Sequence, residues 1–170
     1  SAMPFSVGKL PPQVLSEILE AIPLDHPDIV VGPGIGMDCA VLRFGGRLLV
    51  AKSDPVTFVS DELGYYLVSV NANDVATTGA RPRWLLVTLL LPEHKTDRDL
   101  AVGLMEQINH SCRELGITVV GGHTEITWGL NRPIAIGTLL GEVETGQLIT
   151  PRGARPGDRI LLTKGVPIEG

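Results

Sequence analysis

Basic side chains are scarce in this sequence: fourteen Lys and Arg stand against nineteen Asp and Glu over 170 residues, a formal net charge of −5, and no stretch gathers them into a phosphate-tracking stripe. That balance argues against nucleic acid and against an anionic membrane as partners. Aromatic residues make up only 4%. Long apolar runs are missing too, since Trp84 to Leu91 falls far short of the roughly 20 residues a membrane span needs, and no secretory hydrophobic segment opens the chain. A cytoplasmic protein is the expectation. The two cysteines, Cys39 and Cys112, lie too far apart for a CxxC site or a disulfide framework and read as reduced packing residues. His94, His110 and His123 show no zinc spacing, and there is neither a P-loop nor a GxSxG elbow. The glycines from Gly32 to Gly36 lead into a strand, whereas a dinucleotide fingerprint has to open a helix.

What is present is an apolar, turn-rich chain, 44% hydrophobic with 20 Gly and 13 Pro. Val14, Leu15, Ile18, Leu19 and Ile22 repeat at helical spacing between Pro12 and Pro23. Ala40–Leu42 and Leu48–Ala51 flank Gly45-Gly46 as a strand pair, and Ser60 or Asp61 is placed to cap a helix that stops near Gly79. The run Trp84–Leu91 predicts a central strand covered on both faces. Thr96 with Asp99 resembles a capping box for a helix reaching Gly116. Ile117–Val120 then predicts a strand running into a Gly121-Gly122 turn, and Pro133–Val143 a long strand. The fold class is α+β, a sheet covered by helices. Ser1 and Ala2 read as an expression scar, 3–150 as one domain, and the turn-rich stretch after Pro151 as a linker, with Arg159–Thr163 beginning a fresh strand.

Asp74 carries the strongest chemical signal. It is the only charged residue between Leu63 and Ala80 and shares a helical face with Leu63, Leu67 and Val70, where an ionised carboxylate needs a partner or a metal. Asp38, just before a strand, and Asp54, just after one, sit where sites tend to be built, although each alone is more often a turn residue. Three carboxylates meeting in one place require a balancing cation, and Mg²⁺ takes oxygen ligands. Gly121-Gly122-His123-Thr124 after a strand could present backbone amides to phosphate, or could be an ordinary turn.

Taken in order, Gly36-Met37-Asp38-Cys39-Ala40-Val41, Ser53-Asp54-Pro55, Asn71-Ala72-Asn73-Asp74-Val75-Ala76 with Gly79-Ala80-Arg81-Pro82, and Gly121-Gly122-His123-Thr124 resemble the aminoimidazole ribonucleotide synthetase-related (PurM-like) superfamily. Within it the look is nearest to hydrogenase-maturation carbamoyl dehydratases and their relatives. The resemblance implies an N-terminal α+β domain with a mixed sheet, whose strands join those of a second subunit in a barrel at a homodimer interface. It implies ATP and Mg²⁺ as cofactors and a small-molecule substrate that is phosphorylated or dehydrated. Carried over by position, Asp38, Asp54 and Asp74 match metal-binding acids, while Asn71, Asp74, Gly121, Gly122, His123 and Thr124 match the nucleotide side. His123 stands where many members carry an acid, with Glu125 as a substitute nearby. The same resemblance makes 151–170 the linker and first strand of a C-terminal domain. A non-catalytic nucleotide-sensing or dimerisation module of the same fold is the alternative.

Overall fold

A computed structural model describes residues 3–59 and 61–162. Helix α1 (Pro12–Glu20) opens on Pro12, whose missing N–H costs nothing in a first helical turn, and none of its residues is buried. After the short strand β1 (Ile29–Val31), β2 (Ala40–Phe44) and β3 (Arg47–Val56) form the expected hairpin. Gly45 and Gly46 turn it with φ of 55° and 83°, angles that favour glycine at both positions. Strand β3 runs further than the sequence pattern indicates and carries Ser53, Asp54 and Pro55 inside it, paired with Thr138, Gly137 and Ile136 of β6 (Ile134–Val143). The β2 ladder ends at Ala51, so Pro55 lies where β3 has a neighbour on one side only, a position that tolerates its missing donor.

Helix α2 (Leu63–Thr77) and helix α3 (Arg98–Glu114) pack on each other and on one face of the sheet. The residue before α2 is Glu62, in a left-handed conformation and without a side-chain cap, so Asp61 does not cap this helix and Ser60 lies outside the described residues. Helix α3 is capped by Asp97, which accepts from the Leu100 N–H at 2.8 Å, while the Thr96 hydroxyl donates instead to the Pro92 carbonyl. The cap is therefore one residue later than the capping-box pattern suggests. It works because an Asp carboxylate reaches the third N–H of the helix directly.

The sheet order is β1-β2-β3-β6-β4-β5, with β4 (Arg81–Pro92) antiparallel to β6 and parallel to β5 (Thr118–Thr127). Strand β4 is interior to the sheet, as its apolar run predicts, but its two faces differ. Leu85, Val87, Leu89 and Leu91 are buried, whereas Leu86 is exposed and Trp84, Thr88 and Leu90 are only half-buried. The alternate residues of β6 repeat the pattern. No helix among the described residues covers this second face, so the two-sided cover expected from the sequence is one-sided here. Beyond β6, the Ile149 N–H donates to the Thr78 carbonyl at 2.9 Å and ties the chain back to the end of α2. Arg159–Leu162 do not form the expected strand and are exposed, with no strand among the described residues beside them to supply ladder bonds; Thr163 lies outside the described residues, as do residues 1 and 2.

Candidate functional site at the end of β3

Period-two alternation along β3 puts Leu48, Val50, Lys52, Asp54 and Val56 on the face that α2 covers. Helix α2 brings Asp74 over that face, and the segment entering β2 brings Asp38. The three aspartates singled out by sequence thus converge, and what they converge on is Lys52. Its ammonium stands 2.9 Å from Asp74 Oδ2, 3.3 Å from Asp54 Oδ2 and 3.9 Å from Asp38 Oδ1, with only 8% of its side chain exposed. Burial works to lower the Lys52 pKa, but hydrogen bonding to Asp74 and attraction to Asp54 outweigh it and hold it above the ordinary lysine value. Burial pushes the Asp54 carboxyl up from its ordinary range against the pull of Lys52. Beside the cluster the Cys39 thiol donates to the Asp74 carbonyl at 3.4 Å, and burial, then the Asp74 charge, raise its pKa to about 11. A cleft of about 250 Å³, lined by Asp38, Met37, Cys39, Thr77 and Thr78, opens next to it.

Asn71 belongs to this cluster but faces inward. It is fully buried; its Oδ1 accepts from the Asp54 N–H at 3.2 Å, and its Nδ2 donates to the Asp54 carbonyl at 3.4 Å and to the Leu67 carbonyl at 2.9 Å. The side chain therefore pins the Asp54 backbone to α2, and its direct partners are protein groups. Gly137 makes the arrangement possible, because a Cβ there would stand 2.8 Å from Asn71 Nδ2 and 3.3 Å from Leu67 Cδ1. Without a side chain on β6, α2 can sit close enough for Asn71 to reach β3.

Gly121 and Gly122 are not in a turn. They lie within β5, where Val120 is an extra residue in the ladder with β4, and Gly122 has φ of 147° with its virtual Cβ 1.8 Å from the Val87 carbonyl oxygen. Only glycine lets β5 press on β4 at this point. Asp54, Gly137, Val87 and Gly122 share one row across four strands, so Gly122 lies three strand spacings, about 14 Å, from Asp54. The next two residues diverge. Thr124 pairs with Leu89 and lines a groove beside Met105 of α3, whereas His123 pairs with Thr88 on the uncovered face. There His123 Nε2 lies 2.9 Å from Glu125 Oε2, and the Thr127 hydroxyl donates to Glu125 Oε1 at 2.9 Å. Hydrogen bonds from His123 and Thr127 hold the Glu125 carboxyl below its ordinary range. His123 and Glu125 thus form a pair of their own, separate from the three aspartates.

Three carboxylates are the right donor chemistry for a hard divalent ion. In this arrangement, however, they do not fit one at their common centre, because the Lys52 ammonium fills it; among the described residues no group of three His, Cys, Asp or Glu has metal-holding geometry. Lys52 is the residue that sequence reasoning missed. The expected strand stopped at Ala51, although extending the alternation by two residues would have put Lys52 and Asp54 on one face.

The family description "AIR synthase related protein, N-terminal domain" matches residues 36–143. The chain is 31% identical over 167 residues to a selenide, water dikinase of Geobacter metallireducens, an alignment covering 92% of this chain and 47% of the relative. It is 34% identical over 125 residues to the carbamoyl dehydratase HypE of Cupriavidus necator, covering 70% of this chain and 35% of that protein. Among solved structures it resembles the hydrogenase maturation protein HypE in complex with ATP, with a TM-score of 0.60 and 28% identity over 78% of this chain and 40% of that one. The chain spans about half the length of the curated relatives it matches.

Proposed function

The chain belongs to the AIR synthase related family through its N-terminal domain, and from that membership we propose that it is the ATP-binding half of an enzyme that phosphorylates or dehydrates a small acyl or phosphorylated substrate. The observation that carries this reading is the likeness, in both fold and sequence, to a HypE structure that holds ATP. Two features of the chain support it. The acidic cluster stands at a cleft, and in the same sheet Gly121 and Gly122 of β5 leave a stretch of exposed backbone without side chains. Exposed Gly121 and Gly122 can bring main-chain N–H groups close to phosphate oxygens, as nests do.

Three carboxylates against one ammonium leave the cluster formally negative, so it repels bare phosphates. In this reading Mg²⁺ enters as the counter-ion of the nucleotide's own phosphates. Asn71 acts as a positioning residue for Asp54. The uncovered sheet face, with Leu86, Leu90, Ile136 and Leu140, supports a homodimer in which two such faces meet.

Calorimetric titration of ATP in excess Mg²⁺ tests the binding, and sedimentation of the same samples tests the assembly. The expected results are saturable ATP binding and a dimer; no heat at millimolar ATP would overturn the nucleotide reading. Phosphate release measured on a longer chain carrying the remaining half, against this chain, is expected to show turnover only in the former, because a phosphoryl-transfer site needs donors on all sides of the reacting group.

A further inference from the structure

Lys52 is anchored in β3, paired with Leu139 of β6, so its ammonium cannot diffuse away from the aspartates as a free ion would. Its three N–H donors face three carboxylates, two at hydrogen-bond distance and the third at ion-pair distance. Among the described residues no buried side-chain nitrogen or oxygen lacks a partner, and the buried Lys52 ammonium finds its partners in these aspartates. A divalent ion bonds carboxylate oxygens at about 2.0–2.6 Å. To bridge these same three oxygens it would have to take the ammonium's place, because two like charges confined in that space repel strongly. Eviction is not free either, since the displaced lysine would have to leave a pocket in which it is 8% exposed.

We infer that Lys52 is the resident cation of the Asp38, Asp54 and Asp74 cluster, and that it keeps a free divalent metal ion from binding there. This goes beyond the nucleotide reading and does not depend on it, because the probe is the metal alone. The cluster differs in this from an acidic site that waits for an ion: its own chain supplies the charge, and any metal recruited to the neighbourhood must come with groups that compensate for the lysine.

The experiment is titration of nucleotide-free protein with Mn²⁺, reading the free ion by electron paramagnetic resonance. The wild-type chain is expected to show no Mn²⁺ binding that Asp74→Asn removes. Lys52→Met, which keeps the length and loses the charge, is expected to bind Mn²⁺ at least about tenfold more tightly, a difference of about 1.4 kcal/mol. Adding Asp74→Asn to Lys52→Met should abolish that gain, and Lys52→Arg should behave as wild type. Wild-type affinity equal to that of Lys52→Met overturns the inference, and so does Asp74-dependent Mn²⁺ binding by the wild type. If Lys52→Met fails to fold, the wild-type and Asp74→Asn titrations decide alone: Asp74-dependent binding overturns it, and its absence supports it. Failure of ATP to bind in calorimetry sinks the nucleotide reading without touching this one.

Discussion

Replacing Asn71 tests whether the site is held by α2 reaching across to β3. The side chain is fully buried and makes three hydrogen bonds, two of them to the N–H and carbonyl of Asp54. Asn71→Ala leaves both Asp54 groups without that partner and opens a small void over Gly137. Orphaned buried polar groups cost about 1–3 kcal/mol each, and partial access to water offsets some of it, so the loss should be about 2–4 kcal/mol. For a chain of this size each kcal/mol moves the melting temperature by about 2–4 °C, giving a drop of roughly 4–16 °C by calorimetry. Asn71→Asp separates the bonds from the void, since the shapes match but an oxygen would face the carbonyls of Leu67 and Asp54. Its carboxyl pKa would be raised in the folded state. The folded protein then holds the proton more tightly than the unfolded one, so stability is greatest below the unfolded value of about 3.9 and falls as pH rises through the folded value. The variant should therefore gain on wild type between neutral and mildly acid pH. A loss under 1 kcal/mol for Asn71→Ala, or an Asn71→Asp deficit that ignores pH, would refute the reasoning.

Asp74→Asn should destabilise the chain by about 1 kcal/mol in urea unfolding, because it removes the shortest of the three contacts to Lys52, screened by the partial exposure of the carboxylate; an increase in stability would mean that carboxylate repulsion outweighs the lysine. Cys39 and Cys112 have thiols pushed up to about 11 by burial, Cys39 also by Asp74. Both should react with Ellman's reagent at pH 8 far more slowly in the folded chain than after denaturation, and equal rates would contradict their burial. Since the folded state keeps those protons to higher pH, stability should fall as pH rises from about 9 towards 11, read by urea midpoints across that range.

The α+β class, the β2–β3 hairpin, both long helices and the interior place of β4 could all be read from periodicity and turn residues, which act over a few positions and need no knowledge of what lies opposite. The three aspartates were legible for a related reason: an acid on an apolar helical face or at a strand end is locally out of place. Other features depended on contacts distant in sequence. Gly121-Gly122 has the composition of a turn, and only the close approach of β4 makes it strand. The second face of the sheet reads as buried because its residues are apolar, yet no helix of the described chain covers it. Lys52 is the clearest case. Between Ala51 and Ser53 a lysine looks like the solvent-facing end of a strand, and its role exists only because β3 continues to Val56, Gly137 admits α2, and α2 delivers Asp74 within 2.9 Å of it. Sequence determined which acids needed a cation, since desolvating a carboxylate is costly wherever it occurs. The tertiary structure decided which cation they hold, because a charge pair across 22 residues of chain is fixed by packing and not by local pattern.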